Sequence, residues 1–332
     1  MVQTATPPAA APAGSAMARD ALFVALALVT LGYLVMLVRS LRQKEAAGDG
    51  IRPTLGMSII SFVANFFDTL GIGSYATTTS MVRQWKLIPD ERIPGSLNVG
   101  YVIPTVIQAY IYTKLVPVDS TTLILMISAA VLGAWLGAGV VSQWNRRKVQ
   151  IGMGLALLGF AIIMVVRLTG EVPAGGAVLS LTGAKLAVGV AGNFVLGALM
   201  TLGIGLYAPC LILVGLLGMT ETTAFPIMMG SCAFLMPFAN VRFMRTGAYH
   251  APVILSMLLA GIPAVLIAAF LVTSLPLTVL KWLVVVVVIY TGTNMLLTAR
   301  RERDLARDAT AAETRSSRPP ARRKNATTFS AQ

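Results

Sequence analysis

One carboxylate, Asp68, lies deep in an apolar stretch of this chain, with Asn65 three residues before it and the glycines Gly71 and Gly73 just after it. An acid at that depth in a bilayer costs about 2.5–3.5 kcal/mol on insertion scales, and such acids serve proton relays or gates. Asn65 falls one turn earlier, on the same helical face. Asp68 and Asn65 are therefore the candidate coupling residues, the alternative for Asp68 being a cap on the broken backbone. The glycines open the helix, and a helix that restarts after a break offers free N–H groups and a positive dipole end. That is an anion site in outline. Here it comprises Gly71, Gly73 and the backbone from Ser74 to Thr78, with the hydroxyls of Thr77, Thr78, Thr79 and Ser80 expected on one side.

The same break recurs. Thr69-Leu70-Gly71-Ile72-Gly73-Ser74-Tyr75-Ala76 matches Thr201-Leu202-Gly203-Ile204-Gly205-Leu206-Tyr207-Ala208 at seven of eight positions, 132 residues later. The second candidate site is Gly203, Gly205 and the backbone from Leu206 to Cys210, where Pro209 suits a first helical turn. Asn98 and Ser231 occupy matching places before Pro104 and Pro237, and both are candidate substrate contacts. Gln108 and Asn240 are further polar positions in the same helices. Each of these also fits a plain helix–helix hydrogen bond. Met200 stands where Asp68 would recur, so any coupling role is asymmetric.

Other chemistries have thin support. Two cysteines, Cys210 and Cys232, and one histidine, His250, make no metal-ligand spacing, disulfide framework or triad. No cofactor and no metal site are expected, and an enzyme is the weakest reading.

The elements that must position these residues are membrane helices. Of 332 residues 56% are hydrophobic and 12% charged, against about 25% charged in a soluble domain. Whole windows lack charge, which points to spans rather than one large core. The expected organisation is a disordered leader at 1–18, an additional transmembrane helix at 19–40, a first repeat at 54–168, a linker at 169–184, a second repeat at 185–299 and a basic disordered tail at 300–332. Two apolar segments, 54–85 and 185–218, are too long for one crossing. A straight helix of either length would measure about 50 Å against a core of about 30 Å. Both hold the paired glycines. The fold class expected is an all-α polytopic membrane protein of two tandem homologous halves. Each half has one Gly-broken segment plus three spanning helices.

Charge placement bears on topology. If each broken segment turns back as a re-entrant hairpin, Arg39, Arg42, Lys44, Arg52, Arg83, Lys86, Arg92, Arg146, Arg147, Lys148, Arg242 and Arg245 share one side with the C-terminal tail. The positive-inside rule makes that side cytoplasmic. If every segment spans, the bias vanishes. The hairpin version makes the halves inverted repeats. Nine of the 26 Lys and Arg residues lie in the tail, so a topology signal explains the formal net charge of +13 better than nucleic acid.

The stretches Asn65 to Ala76, Pro94 to Pro104, Gly133 to Gly139 and Gly203 to Pro209, in their duplicated frame, resemble the TauE/SafE family of sulfite exporters and sulfonate permeases. The resemblance spans about residues 54–299. One departure is Ser74-Tyr75, where further glycine is common in the family. The resemblance implies transport of a small sulfur-containing anion, such as sulfite or an organosulfonate, driven by the proton gradient. It also implies a bacterial inner membrane. The partners expected are that anion and the lipid bilayer, without nucleic acid, and homo-oligomerisation is left open. A passive anion channel is the rival function.

Overall fold

The computed structural model describes residues 13–48, 50–71, 73–136, 146–169, 178–200, 205–274 and 277–316. Among them the regular elements are helices: α1 (Ala13–Ala46), α2 (Leu55–Thr69), α3 (Tyr75–Gln84), α4 (Ile93–Leu115), α5 (Ser120–Leu136), α6 (Arg146–Leu168), α7 (Gly183–Met200), α8 (Tyr207–Leu216), α9 (Ala224–Ala239), α10 (Val241–Thr246), α11 (Ala251–Ser274) and α12 (Leu277–Ser316). Short 3-10 turns at Asp90–Arg92 and Glu221–Thr223 lead into α4 and α9. Among the described residues six helical stretches are long and apolar enough to cross a membrane: Ala16–Ala46, Arg147–Val166, Gly183–Met200, Ala224–Thr246, Ala251–Leu271 and Trp282–Arg301. Large apolar side chains such as Leu28, Leu31 and Phe270 face outward, as a lipid surrounding requires. The protein is a multi-pass membrane protein.

Two boundaries differ from the sequence reading. α1 begins at Ala13, inside the expected leader, and α12 runs on to Ser316, inside the expected tail. Both extensions are built of good helix formers, mainly Ala in the first and Ala, Arg and Glu in the second. A polar composition that cannot make a core can still propagate an existing helix.

The long helices pair in a set pattern. α4 and α9 pack on each other at the centre; α2 lies on α11, α7 on α5, and α6 on α12, while α4 also meets α11 and α9 also meets α5. Exchanging α2, α3, α4, α5 and α6 for α7, α8, α9, α11 and α12 leaves these pairings unchanged. Small residues permit the close approach. A Cβ on Gly133 would overlap the Phe194 carbonyl oxygen, and one on Gly197 the Ala130 carbonyl oxygen, which holds α5 and α7 backbone to backbone. At the corresponding α2–α11 crossing the close glycine is on α11, the counterpart of α5: a Cβ on Gly261 would lie 2.7 Å from Asn65 Nδ2. Ser61 Oγ donates to the Met257 carbonyl at 3.3 Å across α2–α11, and Asn193 Nδ2 donates to the Met126 carbonyl at 2.7 Å across α7–α5.

Hydrogen bonds at the helix ends show where the chain turns. Thr54 N donates to Ser256 Oγ at 3.0 Å, and His250 N donates to Ser96 Oγ at 2.9 Å. The start of α2 and the start of α4 thus sit together at the N-terminal end of α11, with α2, the glycine break and α3 between them in sequence. At the other end, Asp119 N donates to the Leu179 carbonyl at 2.9 Å, and Leu181 N donates to Thr122 Oγ1 at 3.0 Å. Thr220 N donates to the Val178 carbonyl at 3.2 Å. The residues before α7 and after α8 therefore meet at the N-terminal end of α5. α4, with 23 residues, connects the two ends over about 35 Å.

The extra helix α1 runs the same distance in reverse. Its Arg19 Nη2 donates to the Val116 carbonyl at 3.3 Å beside the end of α4, and Lys44 lies over the Tyr249 ring at 5.2 Å. Midway, the buried Tyr33 hydroxyl donates to the Val99 carbonyl at 2.6 Å. Tyr33→Phe should lower stability by about 1 kcal/mol, the net worth of one neutral hydrogen bond. Thermal unfolding in detergent checks this, and an unchanged midpoint would remove that bond from the account of how α1 is held.

Candidate functional site

The first break is made by two glycines in the left-handed region, Gly71 at φ 95° and Gly73 at φ 84°. Only glycine adopts these angles without strain, so α2 stops here and α3 restarts. Leu70 N still reaches the Phe67 carbonyl at 3.1 Å and Gly71 N the Asp68 carbonyl at 2.8 Å, which satisfies the end of α2. Ser74 begins α3, and its hydroxyl and backbone N–H face the Asp68 carboxyl. Asp68 thus stands where the free N–H groups of α3 offer an anion site. The first half-helix has a carboxyl of its own chain at its positive end.

Asp68 is buried, and its Oδ2 accepts from Gln108 Nε2 at 3.1 Å. Gln108 Nε2 also donates to Thr69 Oγ1 at 3.0 Å, while Gln108 Oε1 accepts from the Tyr207 hydroxyl at 3.0 Å. The Thr69 hydroxyl donates to the Asn65 carbonyl at 2.7 Å, and Tyr112 donates to the Thr69 carbonyl at 2.9 Å. A polar network therefore runs from the break in the first half to the first residue of α8 in the second. Met228 and Phe225 of α9 cover Gly71.

The other expected residues divide. Thr78 is buried and bonded to the Tyr101 hydroxyl, whereas Thr77 and Thr79 are half-buried and Ser80 is exposed. The four hydroxyls do not share one side, because successive residues on a helix turn by about 100°. Asn65 does not bond Asp68: its Nδ2 donates to the Ser61 carbonyl at 2.8 Å, and its Oδ1 has no partner among the described residues. Asn98 Oδ1 accepts from the Tyr75 hydroxyl at 3.3 Å, and its carbonyl accepts from Asn240 Nδ2 at 2.6 Å. Ser231 accepts from Asn193 Nδ2 at 3.1 Å, an α7–α9 bond of the helix-packing kind. Cys210 is buried in α8, and Cys232 Sγ lies 3.7 Å from Met200 Sδ. Gly205 has open space around it, and Gly203 lies outside the described residues. Among the described residues no cluster of three metal-ligating side chains forms.

Sequence reading missed the tyrosines. Tyr112 and Tyr207 bring hydroxyls to this network, and Tyr75 and Tyr101 bond Asn98 and Thr78 beside it. The signal that could have found two of them was the repeat itself, which keeps a tyrosine two positions after each Gly-x-Gly.

Residues 185–330 match the model of the family described as Sulfite exporter TauE/SafE. That is the family the repeated Gly-x-Gly stretches resemble. The TauE/SafE match begins at α7 and takes in the second break, α8, α9 and the two helices that close the second half. The matched family implies membrane transport, and the apolar helices are consistent with it. No curated protein and no solved structure matches the chain.

Proposed function

We propose that the chain is a secondary active transporter of a small sulfur-containing anion, sulfite or a short organosulfonate, coupled to protons through Asp68. One observation carries this reading: each glycine-broken helix pair returns to the end it started from, and the two pairs do so at opposite ends of the molecule. Two re-entrant hairpins in inverted repeats bring their broken tips toward each other inside the bilayer, as many secondary transporters do. The exchange-symmetric helix pairing supports the same arrangement.

The substrate anion then meets the second half-helix. There Met200 replaces the carboxyl that faces the start of α3, so the N–H groups around Gly205 to Cys210 have no internal anion from that position. Gly71, Gly73, Ser74, Thr77, Thr78, Asn98, Gly203 and Ser231 complete the proposed surroundings. Asn65 supports α2 at its crossing with α11. The end bearing Arg39, Arg42, Lys44, Arg83 and Arg92 is cytoplasmic by the positive-inside rule, as is the C-terminus, and the membrane is a bacterial inner membrane. The test is flux of labelled sulfite and short sulfonates in proteoliposomes, with and without a pH gradient. Accumulation that appears only with the gradient is expected. Equilibration at the same rate with or without it would mean a passive channel and end the coupled reading.

A further inference from the structure

We propose that Gln108 is a positioning residue that relays the protonation of Asp68 to Tyr207, by inverting its amide between two hydrogen-bonding arrangements. The inference rests on the proton-coupled reading above and deepens it. It starts from donor and acceptor counting. An ionised carboxylate can only accept, so the Gln108 amide turns its nitrogen toward Asp68, at 3.1 Å. Its two N–H groups serve Asp68 and Thr69, the second at 3.0 Å. Oε1 is then left to accept from Tyr207, at 3.0 Å. Every polar atom of the amide is used, and Gln108 is fully buried.

Protonation changes the count. The proton comes from the aqueous phase and forms one O–H bond on the Asp68 carboxyl, which becomes a donor. The inverted amide accepts from it through Oε1 and turns Nε2 toward the Tyr207 oxygen. Tyr207 loses its acceptor, and its hydroxyl hydrogen must rotate away. Tyr207 is the first residue of α8, beside the second break. One proton in the first half thus switches a hydrogen bond at the start of the half-helix in the second half. Two discrete arrangements of one buried side chain are what a switch needs.

The device exists once. In the register that pairs Pro104 with Pro237, Val241 takes the place of Gln108, and in the register of the glycine breaks Met200 takes that of Asp68; the neighbouring amide, Asn240, bonds the Asn98 carbonyl. The other titratable side chains facing Asp68 are Tyr75 from α3, Tyr101 from α4, Tyr207 from α8 and Cys232 from α9. α11, packed on α2, carries none in its sequence.

The test is infrared difference spectroscopy of the full chain in lipid across a pH titration, which reads the carboxyl carbonyl stretch without needing a substrate. The band that titrates in the parent and vanishes in Asp68→Asn belongs to Asp68. Tyr207→Phe, which does not touch Asp68 in a hydrogen bond, should shift that band. Gln108→Met should shift it as well, and adding Tyr207→Phe to Gln108→Met should produce no further shift. Gln108→Leu, which likewise carries no nitrogen or oxygen, replaces Gln108→Met should the latter fail to give folded protein, with the same non-additivity expected. A band untouched by Tyr207→Phe, or shifted equally whether or not Gln108 is present, overturns the relay while leaving proton coupling intact. Absence of any titrating Asp68 band overturns the coupling and the relay together.

Discussion

With a pH difference of about one unit across the membrane, Asp68→Asn protein should equilibrate labelled sulfite and accumulate none. One proton per anion and one pH unit store about 1.4 kcal/mol, which supports a gradient of about tenfold in the parent. Asparagine keeps the size of the side chain and an oxygen that can accept from Gln108 Nε2, so the bond to α4 and the break at Gly71 survive. What it removes is the proton. The downhill rate in the variant should also stop varying with pH. If Asp68 serves only as the anion that caps α3, the variant loses some stability and keeps its accumulation, and that outcome would sink the coupling role.

The second large effect is on packing. Gly197→Leu should destabilise the protein by about 3 kcal/mol, the upper end of the usual cost of overpacking. The added Cβ would overlap the Ala130 carbonyl oxygen, which belongs to the α5 backbone and cannot rotate aside. Gly261→Leu should cost less, near ~1 kcal/mol, because its nearest obstacle is the Asn65 side-chain amide, which can shift. Gly152→Leu should be nearly neutral, since nothing lies within 4 Å of that position. Thermal unfolding of the three variants in detergent gives the ranking. Equal losses at Gly197 and Gly152 would contradict the backbone-to-backbone crossing of α5 and α7.

The membrane class was legible because charge-free windows of spanning length are rare outside a bilayer, and the resemblance to the TauE/SafE family because the Gly-x-Gly break is repeated almost residue for residue. Helix pairing was not. In a membrane both the lipid face and the packed face are apolar, so periodicity carries little information. α9 illustrates this, being apolar around most of its circumference yet almost wholly buried. Without the pairing, the partners of polar residues were out of reach. Asn65 was named with Asp68 as a coupling residue, and that its Nδ2 turns toward Ser61 and Gly261 follows only from the α2–α11 crossing. Ser231 was named as a candidate substrate contact, and only the approach of α7 reveals that Asn193 donates to it. Gln108 was noted only as polar, and its bonds to both halves became visible when α4 was placed between the first break and α8. Asp68 itself could be found from burial cost alone.

The sidedness of single cysteines tests the arrangement most directly. In a background without Cys210 and Cys232, one cysteine is placed at Arg52 before α2, Glu91 after α3, Lys148 at the start of α6 or Leu179 before α7, all exposed positions. With a membrane-impermeant maleimide on intact cells, the account predicts labelling at Leu179 alone, and labelling at Arg52, Glu91 and Lys148 only after the membrane is opened. Labelling of Arg52 and Glu91 from opposite sides would mean that the first broken pair crosses the bilayer, and would contradict it.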